Sequence, residues 1–264
     1  MEEVLAALDS IIALCVEQGS RLGYFAAIYR TVTAKVREGI TSGFFDDGER
    51  MAKLDAVFAG RYLSAMQAWE RSQPVTRSWR AVFSAAGRWP PIVLQHVVVG
   101  ISAHINLDLG IACAEVAPNA ALPALRRDFD RINEILASLL QSILSEIGQI
   151  SPWIGVLDLI GGRTDDELIK FSIEVARTQA WWFAVELASL PRAFWGGPIG
   201  ARDANVARLT EAILNPGVLT PGVMLIRSRE RNDVRRNIRI LDAVPGPGLR
   251  AVDTRVAQER ATNP

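Results

Sequence analysis

Residues 91–116 read PIVLQHVVVGISAHINLDLGIACAEV, and no charged side chain occurs between Arg88 and Asp108. Written as a helix, this stretch has apolar groups on nearly every side and no stripe for water. A helix of that kind lies in the middle of a large core or in a membrane. Yet it carries both histidines of the chain, His96 and His104, and then Asp108. A buried carboxylate or imidazole is costly unless it is paired, hydrogen-bonded or bound to a metal. The stretch therefore marks both the core and the place where chemistry is expected.

Working outward, the uncharged run 89–107 approaches membrane-spanning length. Its Pro90-Pro91, Gln95, His96, Ser102, His104 and Asn106 favour a core helix over a transmembrane one. The N-terminal MEEVLAALDS is acidic and amphipathic and lacks the basic region and cleavage site of a secretory signal. The expected setting is cytoplasmic, with no membrane span. Acids and bases balance at 29 each over 264 residues, which gives no electrostatic case for nucleic acid. Cys15 and Cys113 sit in apolar helical runs and read as small buried hydrophobes.

The rest of the chain shows helical periodicity and no trusted strand pattern. Helices are expected over about 2–17, 22–41 and 47–69, the third capped by Asp46 or Asp47. A short one over 77–86 precedes the two prolines. After the central helix, one over 122–147 follows a short turn, so the two are expected to pair antiparallel. Further helices are expected at 152–160, 164–190 and 203–214, with FWGGPIG, residues 194–200, as a loop. The fold is thus all-α, a single-domain bundle of about eight or nine helices around a buried central helix at 91–116. Residues 1–214 form that domain. Residues 215–264 read as a C-terminal arm, a charged helix over 226–240 followed by a disordered tail.

His104 and Asp108 are four residues apart and share one helix face. In an antiparallel pair, Asp108 comes level with RRDFDRIN, residues 126–133, and His104 with Glu134. Two facing helices then offer His104 and Asp108 opposite Asp130 and Glu134, an arrangement by which bundles hold divalent metals. Asp55 is a further candidate ligand. Two histidines exclude a His-rich zinc site and leave a mixed carboxylate–His site for Mg, Mn, Fe or Zn. The competing account is structural: Arg61, Arg127 and Arg131 lie within reach, and a buried Asp–Arg network with a hydrogen-bonded His satisfies the same groups without metal. A third option makes His104 a general base oriented by Asp108, with Arg61 in the catalytic set. Tyr24, His96 and Trp181 are the candidate substrate contacts, His96 equally a satisfied core histidine. No phosphate-binding glycine loop or nucleophile elbow is present.

The segments RLGYFAAIYRTVT, GFFDDGERMAKLDAVFAGRYL, PIVLQHVVVGISAHINLDLGIA, LRRDFDRIN and ARTQAWWFA resemble an uncharacterised bacterial, all-helical protein family with a His-Ile-Asn-Leu-Asp-Leu-Gly signature, here His104–Gly110. The resemblance runs to about Leu241 and implies the fold and the location of interest, but no activity. A fainter similarity, the His104/Asp108 spacing alone, is to zinc-dependent phospholipase C-like hydrolases, whose other histidine ligands have no counterparts here. The expected function is a metal-dependent hydrolase or lyase acting on a small, largely apolar substrate. The alternatives are a non-catalytic ligand-binding protein with a structural polar cluster, and a scaffold that forms a homodimer through an exposed tryptophan such as Trp195 or Trp69.

Overall fold

The computed structural model describes residues 1–154 and 165–244, with side chains from residue 173 onward in the second segment. The helix expected at 152–160 and the tail beyond 244 lie outside the described residues. Among the described residues the regular structure is helical and contains no strand.

α1 (Glu2–Gln18) stops at Gly19, whose φ of 66° is left-handed, the conformation that lets a glycine close a helix. α2 (Gly23–Thr41) is buried almost all round, from Tyr24 to Val36. α3 (Gly48–Glu70) opens on Asp47, whose carboxylate accepts the Arg50 N–H at 2.9 Å. Asp46 instead pairs with Arg127 and Arg131. α4 (Arg77–Ala85) is capped twice. Thr76 accepts from the Trp79 N–H, and Asp203, remote in sequence, accepts the N–H groups of Arg77 and Ser78 at 2.8 and 2.9 Å.

The central stretch forms one continuous rod, but not a uniform one. α5 (Val93–Ala103) passes into a π-helical turn (His104–Leu109), then α6 (Gly110–Val116). The rod begins in the core, where its free N–H groups must find partners. Gln95 takes that of Ile92 at 3.1 Å and Glu230 that of Val93 at 2.9 Å. Its apolar window is long enough to cross a membrane, but 83% of it is buried within the fold, as a core helix requires. A second apolar span, Gly196–Arg229, also has the length, with 28% of its window buried.

Around the first half of the rod pack α2, α4 and α9 (Gly196–Leu214). Around the second half pack α3 and α8 (Asp165–Ala188). Two glycines set how close the neighbours come. A Cβ on Gly100 would stand 2.5 Å from the Phe25 ring of α2, and one on Gly110 would stand 2.8 Å from the Ala180 carbonyl of α8.

Three expectations are corrected here. α7 (Leu122–Ile150) follows the rod in sequence but packs mainly on α2 and α8, so the rod's second half pairs with α8. FWGGPIG is not a loop throughout: α9 already begins at Gly196 and holds Pro198 in its first turn, where a missing N–H costs nothing. The single charged helix expected over 226–240 is instead two helices packed on the fold. These are α10 (Thr220–Arg229) and α11 (Val234–Asp242), whose Ile226, Ile238 and Leu241 are fully buried.

Candidate functional site

The π turn places His104 and Asp108 side by side at the centre of the rod, both 2% exposed. Such a turn shifts backbone bonding from i→i+4 to i→i+5 and leaves a carbonyl to be satisfied at the seam. The Asn106 carbonyl is taken by Arg202 of α9 through Nε at 2.8 Å. Asp108 accepts from three donors: Arg61 Nε at 3.0 Å, Trp79 Nε1 at 2.9 Å and His104 Nδ1 at 3.1 Å. The hydrogen between His104 and Asp108 therefore sits on Nδ1, as the acceptor role of Asp108 requires. Burial pushes the His104 pKa down, against the opposing pull of the Asp108 hydrogen bond and charge. The neutral imidazole then carries its lone pair on Nε2, which is buried and has no hydrogen-bond partner.

An aromatic shell encloses this imidazole. Phe58 stacks on it with ring centroids 3.6 Å apart and planes 7° from parallel. Tyr29 meets it edge-on at 4.6 Å, and Phe25, Tyr62 and Trp79 stand about it at 5.9–6.0 Å. The Tyr29 and Tyr62 hydroxyls are buried without a hydrogen-bond partner. Burial, and next the nearby Asp55, raise the Tyr29 hydroxyl well above the ordinary phenol range.

Beside the shell lies a cavity of about 130 Å³ between α2, α3, the rod, α7 and α8. Its wall is almost wholly apolar, with Ile28, Val32, Leu54, Ile105, Leu109 and Ile132 among its residues. The polar members are Tyr29, Asp55, His104 and Arg177. Asp55 is buried, and its Oδ2 has no partner. Burial raises its carboxyl to about 7, the Met1 amino group pulling weakly the other way. Arg177, 4% exposed, gives its N–H groups to the Phe129 carbonyl and the Asn133 side chain, and its guanidinium lies 4.3 Å over the Phe129 ring. Burial lowers its pKa to about 10.

The structure thus joins Arg61, His104 and Asp108 in one network and sets Asp55 with His104 on one cavity. It does not bring Asp130 and Glu134 to Asp108. Asp130 is about half exposed and holds Arg126 at 2.7 Å, and Glu134 is not among the cavity-lining residues. The cause is the rotation of α7, which turns Asp128 inward instead. Asp128 accepts from the N–H groups of Asp46 and Asp47 and from Arg50, a structural clamp on the α2–α3 turn. Among the described residues no three His, Cys, Asp or Glu side chains converge as a metal would need. Tyr24 and His96 pack edge to face at 5.8 Å on the other side of Phe25, away from the cavity wall. Trp181 is buried against Phe129 and Arg126, also outside that wall. Trp195, expected at an exposed face, is buried, and its Nε1–H donates to the Leu190 carbonyl at 3.2 Å. Trp69 is half-buried.

Sequence reading passed over Trp79, Phe58, Tyr29 and Arg177. Aromatic residues at helical spacing carry no mark that separates a wall of a cavity from ordinary core. Arg177 had one usable signal: it lies one turn before Trp181 on a helix face that must be buried.

Asp55 has a consequence for pH. Its pKa is higher folded than unfolded, so its protonated form is favoured by the fold. The stability it lends is complete below about pH 4 and is lost as pH rises through about 7. Asp55→Asn is therefore expected to raise the melting temperature at pH 8 relative to the parent chain, and by less than half as much at pH 5, where the unfolded carboxyl is ionised and only part of the difference has opened. The upper limit of the gain is about 4 kcal/mol, from a shift of roughly three pH units. Thermal unfolding at both pH values checks it, and an equal effect at the two would place the origin elsewhere.

No curated protein and no solved structure matches the chain. A family model does, over residues 1–216, a stretch that includes the rod, the Asp108 network and all four polar members of the cavity wall. The chain therefore belongs to the family of unknown function DUF5995.

Proposed function

We propose that the protein binds a small, largely apolar molecule in the cavity between α2, α3, the rod, α7 and α8. The observation that carries this reading is a cavity of about 130 Å³ with an apolar wall into which an unpartnered buried carboxyl, Asp55, is built. Protein interiors are ordinarily close-packed, and buried polar groups are ordinarily paired. A dry cavity of about 150 Å³ is known to accept benzene, so the ligand or its buried part has roughly that size. In this reading the Asp108 network holds the rod against α3 and α4 and keeps the cavity wall in place.

The test is binding of toluene to the full chain, followed by ligand-observed NMR and by the rise in melting temperature. Saturable binding is expected, with a rise of a few degrees at a hundredfold excess over Kd. Val32→Phe fills the space from α2 and is expected to abolish it while the chain stays folded. Undiminished binding to the Val32→Phe chain would send the ligand elsewhere.

A second reading, acid–base catalysis at His104, is favoured by one observation: Asp108 fixes the tautomer, and the Nε2 lone pair has no partner. It requires the aromatic shell to open at the ring edge, because Nε2 is buried as it stands. A bound ligand that moves the Nε2 resonance in the ¹⁵N spectrum supports it; no shift at saturation removes it. A metal-dependent hydrolase or lyase draws least support, since the two oxygens of Asp108 already serve three donors and Asp130 and Glu134 lie apart.

A further inference from the structure

We infer that the ligand is a small monocarboxylate, its hydrocarbon part in the cavity and its carboxylate on Arg177. This rests on the cavity reading above and names the chemistry of the head group. Arg177 lies on the cavity wall, is 4% exposed and makes no ion pair among the described residues. Its partners are neutral: the Phe129 carbonyl, the Asn133 side chain and the Phe129 ring face. A buried guanidinium is ordinarily matched by a carboxylate, because leaving the charge uncompensated is expensive. Asp130, whose charge reaches it, is bound by Arg126 at 2.7 Å. Arg126 and Arg177 thus have one carboxylate between them and are one anion short, and the space where that anion's body would lie is the apolar cavity.

The other titratable wall groups agree with an anion. His104 is neutral with Nδ1–H committed to Asp108. Asp55 sits in an apolar wall with no hydrogen bond to hold it ionised, and burial favours its neutral acid. Among the described wall residues, Arg177 is the group whose charge persists through neutral pH. A planar carboxylate matches the fork of a guanidinium in a way that an alcohol or an amine does not. The cavity volume limits the buried body to about a benzene ring or a chain of five or six carbons.

The experiment compares four probes of one size on the full chain at pH 7 by calorimetry: toluene, benzyl alcohol, benzylammonium and benzoate. Benzoate is expected to bind at least tenfold more tightly than benzyl alcohol, with benzylammonium weakest. Arg177→Met is expected to lower benzoate affinity at least tenfold and leave toluene within twofold, which also shows that the variant has folded around its cavity. Arg177→Lys keeps the charge and is expected to keep part of the benzoate preference. Benzoate no tighter than benzyl alcohol, or equal losses for benzoate and toluene in Arg177→Met, would overturn the carboxylate assignment and leave the cavity reading standing. Tightest binding of benzylammonium would overturn it in favour of Asp55 as the head-group site. Failure of all four probes, toluene included, would remove the cavity reading itself.

Discussion

Asp108→Ala is expected to lower the unfolding free energy by about 3–5 kcal/mol, the usual result of removing one partner from a buried ion pair. The side chain is 2% exposed and serves three donors, one on α3, one on α4 and one on its own π turn. Its loss leaves the Trp79 indole N–H and the His104 Nδ1–H without an acceptor inside an aromatic shell, where water does not replace it. Each such orphan costs about 1–3 kcal/mol. Arg61 is about a quarter exposed and recovers part of its hydration, so it adds less. In a chain of this size the loss corresponds to a melting temperature roughly 10 °C lower. Asp108→Asn keeps an acceptor oxygen of the same shape and should fall between the two. Chemical denaturation of both variants checks the order. A loss under about 1 kcal/mol for Asp108→Ala would show that the network relaxes to water and does not hold the rod.

Gly110→Ala is expected to destabilise by about 1–3 kcal/mol, toward the upper end. Helix propensity alone predicts the opposite, a gain of roughly 0.5–1 kcal/mol for Ala over Gly in a helix. The sign is set by space. The new methyl would lie 2.8 Å from the Ala180 carbonyl oxygen and 2.8 Å from the Phe183 ring. The ring has some freedom, but the carbonyl belongs to α8 and moves only if the helix does. Gly60→Ala is the control. It lies within α3 with nothing inside 4 Å of the added carbon, so propensity should act alone and stabilise. Opposite signs for the two glycines, read from the same denaturation series, are the expected outcome. A gain at both positions would mean that α8 yields easily and that the rod is loosely gripped.

Much of this architecture is legible in residues alone. A long apolar run that carries both histidines and ends at an aspartate reads as a core helix, and the fold buries it. Asp47 caps α3 because a carboxylate three residues before a free N–H has a known mechanism. The His104–Asp108 contact follows from a four-residue spacing on one face, and Arg61 is where an inward arginine on the third helix was expected. What is not legible depends on rotation and on contacts between distant segments. Equal counts from a turn bring Asp130 level with Asp108, but only packing against α2 and α8 decides that α7 turns Asp128 inward. Nothing in HINLDL announces a π turn. Its seam is stabilised by Arg202, nearly a hundred residues away. Trp79 stands in a short helix without a motif, and its part in the network rests on that helix being fixed by Asp203. The paired glycines and Pro198 of FWGGPIG suggest a loop, yet the same residues suit a helix that starts early.

The family likeness ends at residue 216, whereas the rod takes its first N–H partner from beyond it. Glu230 receives the Val93 N–H, the Ser151 hydroxyl and Arg227 Nη1, and so ties the start of the rod, the end of α7 and α10 with one carboxylate. Ile238 of α11 fills the notch left by Gly23, where even one added carbon would meet it at 2.7 Å. A chain cut back to the shared region would begin its innermost helix with a bare amide in a hydrophobic setting and an uncovered groove between α1 and α2. Truncation at residue 216 is therefore expected to destabilise the fold, with the final helices acting as its keystone.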